Sequence, residues 1–156
     1  MTYCIPKLGF TLIETLCVIS LLTLSTLLAF SFSTKIFKSN ELDSLTTQLV
    51  NISHYGRNMA LLNGHDLLLK PYQHHWSYGA ILLVKSPPSG RKKILRIWQW
   101  HLKFIKLSWD GVMADDHLIF FYNLKHAITN GHFTLSDNNH ILRRIVLNRL
   151  GRIIVT

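Results

Sequence analysis

The chain has 156 residues, 48% of them hydrophobic and only 16% charged, and its 17 basic against 8 acidic side chains give a net charge of +9 with histidine neutral. This length holds one domain of ordinary size and excludes two. The hydrophobic residues are not spread as in a single globular core, because a large share of them falls in one block from Phe10 to Phe32.

Residues 1–9 carry one basic side chain, Lys7. The block that follows, FTLIETLCVISLLTLSTLLAFSF, is 23 residues long, carries one charge at Glu14 and is interrupted only by serine and threonine. As a helix it spans about 35 Å, enough for the hydrocarbon core of a bilayer. A secretory signal peptide is the alternative, with Ala29-Phe30-Ser31 as a small-x-small cleavage site. Against it, the run exceeds the usual core of about 7–15 residues and bears a carboxylate near its start. An ionisable side chain inside a membrane segment costs several kcal/mol on insertion scales and is by default a functional group with a partner.

The residues around that carboxylate read Gly9-Phe10-Thr11-Leu12-Ile13-Glu14, at the head of the apolar run. This resembles the class III signal of type IV prepilins and type II secretion pseudopilins. The resemblance implies that a membrane peptidase cuts between Gly9 and Phe10 and that Phe10 becomes the N-methylated first residue. It also implies that Glu14 neutralises the amino-terminal charge of a neighbouring subunit as helices pack in a filament, which offsets the burial cost. The positive residues flanking the run, Lys7 before it and Lys35 with Lys38 after it, do not by themselves orient it. The resemblance implies a single pass through the bacterial inner membrane with the C-terminal domain in the periplasm. Cys4 lies in the leader and Cys17 in the run, so the remainder contains no cysteine and forms no internal disulfide.

After the apolar run, Lys35 to Asn63 has no proline and one glycine, and Leu42, Leu45, Leu49, Ile52, Met59 and Leu62 recur at spacings of three, four or seven. The spacing predicts an amphipathic helix whose stripe covers a sheet. Ser39-Asn40, ahead of Glu41 and Asp43, either caps a fresh helix or interrupts a long one; a helix continuous from Phe10 would reach about 80 Å. From Gly64 the period changes to short apolar or alternating runs: 66–70, 76–85, 93–109, 118–122, 132–136, 141–148 and 152–156. Turn signals separate them at 86–90, Asp110-Gly111, Asn130-Gly131, Asp137-Asn138-Asn139 and Leu150-Gly151. The 93–109 run is long for one strand and is expected to bend or split near Trp100. The prediction is an α+β class, a long N-terminal helix packed on a mainly antiparallel β-sheet domain.

Further patterns extend the resemblance. Tyr55-Gly56-Arg57-Asn58-Met59-Ala60, His75-Trp76-Ser77-Tyr78-Gly79, Ile94-Leu95-Arg96 and the stretch from Arg144 to Arg152 look like the GspH/FimT branch of minor pilins and pseudopilins. In the FimT type a C-terminal Gly-Arg-x-Arg motif is associated with DNA binding in natural transformation. Gly151 and Arg152 match it, while Ile154 stands in place of the second arginine.

Charge can be argued without the family. Without Lys7 and Glu14 the chain keeps 16 basic and 7 acidic side chains, still +9. The basic residues gather in Arg91-Lys92-Lys93 with Arg96, in Lys103 and Lys106, and in Arg143, Arg144, Arg149 and Arg152. Such a set grips phosphate if it shares one surface, and Trp98, Trp100 and Trp109 among it can stack on single-stranded bases. The alternative is that the tryptophans fill the core and the basic face meets anionic lipid or an acidic neighbouring subunit. Strand alternation puts Arg143 and Arg144 on opposite faces.

No catalytic motif emerges. Nine histidines invite a metal, yet His74 and His75 diverge if extended, and no Cys-x-x-Cys or His-Glu-x-x-His spacing occurs. Asp115-Asp116 reads as a solvated turn rather than an acid/base pair, and there is neither a nucleophile elbow nor a phosphate-binding glycine loop. The expectation is a structural subunit without cofactor or metal. Its parts are a leader 1–9, a transmembrane and filament-core helix 10–32, an amphipathic helix 33–63 and a β-rich domain 64–156. Its expected partners are prepilin peptidase, other pilins or pseudopilins and the inner membrane. A DNA receptor acting in DNA uptake is the second reading and an anchored enzyme the third.

Overall fold

A computed structural model of the chain describes residues 11–86, 93–112, 116–123, 125–138 and 140–156, with the helix backbone alone for 28–34. The leader, the Gly9 and Phe10 cleavage pair, most of the 86–90 turn, Arg91, Lys92, Asp115 and Asn139 therefore lie outside the described residues. Contacts divide the chain into two units, one ending at Ser39 and one running from Asn40 to Thr156. Helix α1, Leu12–Asn63, contributes to both.

In the first unit Leu12, Ile13, Leu16, Val18, Ile19, Leu21, Leu22, Leu24 and Leu27 are each between 49% and 79% exposed. At about 100° per residue these positions encircle the helix, a pattern that calls for apolar surroundings on all sides. Among the described residues no helix is long and apolar enough to cross a membrane. The expected span 10–32 is described only in part, since Phe10 and the side chains from residue 28 onward fall outside.

The second unit is built on strands that alternate most regularly in β4 and β6. Strands β1 (Leu67–Tyr72), β2 (His75–Val84), β3 (Ile94–Gln99) and β5 (Leu118–Phe120) form one antiparallel sheet in the order β3-β2-β1-β5. Strands β4 (Lys106–Gly111), β6 (Gly131–Asp137), β7 (His140–Leu147) and β8 (Ile153–Val155) form a second in the order β4-β6-β7-β8. Leu67, Leu69, Leu82 and Phe120 from the first sheet and Leu107, Trp109, Phe133, Leu135, Ile145 and Leu147 from the second join Leu45, Leu49, Ile52 and Ala60 of α1 in one buried cluster.

The α+β class holds, with two sheets where one was expected. The 93–109 run does split at Trp100, whose indole Nε1 donates to the Trp76 carbonyl at 2.9 Å. The split carries the chain from the edge of the first sheet at β3 to the edge of the second at β4. Ser77 on β2 fastens the two sheets: its hydroxyl accepts from the Leu107 amide at 3.0 Å and donates to the Leu107 carbonyl at 3.3 Å.

Three local expectations are corrected. Ser39-Asn40 neither caps nor interrupts, because both residues are helical within α1. Gly111 and Gly131, read as turn residues, pair with each other across β4 and β6. His74 is not extended but shares a two-residue hairpin turn with Gln73, at φ of 66° and 50°. That left-handed geometry matches the twist of the flanking strands.

Polar groups and one glycine fix α1 to the sheets. The Glu41 carboxylate accepts from the amides of Lys103, Phe104 and Ile105 at 3.0, 3.3 and 3.3 Å, closing the β3–β4 connection. Arg57 donates to the carbonyls of Phe121 and Asn123, the latter at 3.1 Å. Gly56 lies where the Phe120 ring meets the helix, and a Cβ there would stand 2.3 Å from the ring.

Candidate assembly helix and basic surface

The start of α1 is set locally. The Thr11 carbonyl accepts from the amides of Glu14 and Thr15 at 3.1 and 3.2 Å, and its hydroxyl accepts from the Glu14 amide at 3.4 Å. Thr-x-x-Glu is the capping-box spacing, and a carboxylate in the first turn complements the positive end of the helix dipole. Glu14 is therefore favourable to its own helix as well as a candidate for pairing between subunits, and the spacing at Thr11 was visible in the sequence. Its side chain is exposed, with no ion pair among the described residues.

Every serine and threonine between Leu12 and Leu27 donates its hydroxyl to its own helix. Thr15, Ser20, Thr23, Ser25 and Thr26 reach the carbonyls of Leu12, Cys17, Ser20, Leu22 and Thr23 at 2.8–2.9 Å. Such back-bonding removes most of the penalty that a free hydroxyl meets in apolar surroundings. Glu14 is left as the one strongly polar side chain in this stretch.

The expected basic set is not one patch. Arg143 turns inward and pairs through Nη1 with Asp43 Oδ1 of α1 at 2.8 Å and with the buried Thr46 hydroxyl at 3.0 Å. Arg144 takes the opposite face, as alternation predicts. Arg144 on β7 and Lys106 on β4 flank β6 on the outer face of the second sheet, opposite Thr134 and Ser136. Lys103 sits exposed in the connection that Glu41 holds.

The last two arginines lie around the turn at Asn148. Asn148 Oδ1 accepts from the amides of Leu150 and Arg152 at 3.0 and 2.9 Å. Gly151 adopts φ 82°, a conformation glycine takes without strain, and so aims Arg152 outward. Arg149 borders a cavity of about 450 Å³ with Val112, Phe121, His126 and Ile128. Of the tryptophans, Trp100 and Trp109 are core residues at 7% and 5% exposure, so base stacking by them is ruled out and only Trp98 keeps an open face.

Histidines and acids are dispersed. Among the described residues no three His, Cys, Asp or Glu side chains come together as metal ligands. Asp116 is exposed, and its hydrogen bond to His117 Nδ1 at 2.5 Å holds its carboxyl below the usual aspartate range. A depressed acid contributes stability above its ordinary pKa and loses it as pH falls through the folded value, so this contact holds at neutral pH and is lost only in acid.

The fold is that of a type IV minor pilin. Two crystal structures of the Pseudomonas aeruginosa type IV minor pilin FimU are similar to this chain. The one in space group P21 gives a TM-score of 0.59 at 19% identity, covering 76% of this chain and 90% of that one. The one in space group P65 gives 0.55 at 20% identity, covering 73% and 91%. No protein-family model matches the chain, and no curated protein matches it in sequence.

Proposed function

We propose that the chain is a minor pilin or pseudopilin, a non-enzymatic subunit of a type IV pilus or type II secretion filament. Prepilin peptidase cuts after Gly9 and methylates Phe10. Residues 10–32 hold the subunit in the inner membrane with the domain from Asn40 in the periplasm, and the same segment then enters the helical core of the filament. The observation that carries this reading is the first part of α1, which is apolar all round, has its hydroxyls bonded internally and keeps one carboxylate at Glu14. That is the chemistry of a segment made for lipid and for other helices. The pilin fold of the rest agrees with it.

The reading is tested at the cleavage site. Mass spectrometry of the chain purified from cells containing the peptidase should give a species beginning at N-methyl-Phe10. Gly9→Ala should accumulate the uncut chain and drop out of the filament fraction. Normal filament incorporation of an uncut Gly9→Ala chain overturns the proposal.

A second reading, DNA binding in uptake, is favoured by Arg144, Lys106 and Arg152 being exposed without carboxylate partners among the described residues. The full chain in detergent then retards DNA at low salt. Arg144→Ala with Lys106→Ala lowers the slope of log affinity against log salt by about 2. No retardation at low salt removes this reading, and Arg143 belongs to the fold rather than to it.

A further inference from the structure

Arg96, on edge strand β3, differs from the arginines that the fold ties down. It lies opposite Leu82 on the helix side of the first sheet. Its guanidinium carbon stands 5.0 Å from the Tyr55 ring centre and 5.3 Å from that of Trp98. Those two rings meet edge to face, at 5.7 Å and 84°. Where Arg57 and Arg143 spend their N–H groups on carbonyls or a carboxylate, Arg96 has no hydrogen bond or ion pair among the described residues. It borders an open cleft of about 310 Å³ whose other walls are Ile52, Gln48 and Asn51 of α1.

We propose that this cleft receives a carboxylate side chain from an acidic segment of a partner polypeptide, with Arg96 as the anion-binding group; on the function proposed above, the partner is another filament subunit. Aromatic rings against a guanidinium leave its N–H edge free, and that edge makes two parallel bonds to a planar acceptor. Gln48 and Asn51, one helical turn apart, add amides that bond the same group or the peptide next to it. Ile52 and Trp98 supply an apolar wall for the methylenes of an organic acid, which a free ion does not use.

The charge count favours a single carboxylate over a phosphate chain. Among the described residues the cleft holds one cation and two neutral amides, and Lys93 is three positions along the chain, about 10 Å. A nucleic acid backbone is held by a row of cations at its own phosphate spacing. A chain of net charge +9 also attracts acidic rather than like-charged partners, so a second copy of itself is disfavoured.

The test uses the full chain in detergent micelles, with NMR signals of the Arg96 Nε–H and the Trp98 indole N–H as reporters. The probes are the peptide N-acetyl-Leu-Glu-Leu-amide, its Gln counterpart, inorganic phosphate and a thymidine oligonucleotide. Saturable shifts are expected with the Glu peptide. Binding should be at least about tenfold weaker for the Gln peptide, which lacks the charge, and for Arg96→Gln. Arg96→Lys, which keeps charge but not the fork, should fall between. Absence of shifts overturns the proposal, as does equal affinity for the Gln peptide. Tighter binding of phosphate or oligonucleotide than of the Glu peptide also overturns it, in favour of a phosphate site. Failure here leaves the subunit reading standing if Gly9→Ala blocks assembly, and peptide binding stands even if Gly9→Ala assembles.

Discussion

Glu14→Ala is expected to exclude the chain from filaments while leaving it folded and still cut after Gly9. Two effects compete, and their sizes separate them. Within its own helix the carboxylate is a first-turn charge worth about 0.3–1 kcal/mol, so its loss frays one end of α1 at most. Between subunits, on the proposed reading, it faces the cationic amino terminus of Phe10 in apolar surroundings. Removing one member of such a pair strands the other, at about 3–5 kcal/mol. That corresponds to a loss of incorporation of two orders of magnitude or more. Immunoblots of sheared filaments against whole-cell protein measure it. Glu14→Gln, which keeps the shape and loses the charge, should behave like the alanine variant. Filament levels within a few-fold of wild type would show that Glu14 serves only its own helix.

The second large effect is expected at Gly56→Val. Valine is a somewhat better helix former than glycine, a gain of a few tenths of a kcal/mol. Its Cβ, however, would stand 2.3 Å from a ring carbon of Phe120, which is fully buried. Overpacking of that kind costs roughly 1–3 kcal/mol, and the second branch of valine adds to it. A net loss near 2 kcal/mol corresponds to a fall in Tm of the order of 10 °C for a domain of this size. Adding Phe120→Leu to Gly56→Val should recover part of the loss, a coupling that thermal melts of the two singles and the double resolve. Additive losses in that cycle would mean that helix and ring do not share the space.

Much of the fold can be read in the sequence because each strand reports its own alternation. Leu67 and Leu69, or Phe133 and Leu135, announce a buried face whichever sheet they join. For the same reason the number of sheets is not legible: an alternating strand fits either one, and only the departure at Trp100 decides where the chain goes. The inward and outward division of Arg143 and Arg144 was visible. The partner that takes Arg143 out of the basic surface, Asp43, is not, because it lies 100 residues away in sequence.

Glu41 misled in a similar way. It stands where a helix start was read, yet its carboxylate holds amides more than 60 residues downstream. The turn at Gln73-His74 has no glycine to mark it, so its left-handed backbone leaves no trace in composition. In the segment from Tyr55 to Ala60, by contrast, the residues that suggested a family are those that join α1 to the sheets: Tyr55 against Trp98, Gly56 under Phe120, Arg57 on the Phe121 and Asn123 carbonyls.

The internally bonded hydroxyls of the first part of α1 bear on thermodynamics as well as on solubility. A helix that brings its own acceptors along has little hydrogen bonding to exchange when it passes from lipid into a bundle of like helices, and its leucines meet hydrocarbon in both places. On the proposed reading the two environments are nearly equivalent solvents for this segment, and its partition between them lies close to balance. A near-balanced partition is tipped by one charge, and along this stretch the sequence places that charge at Glu14.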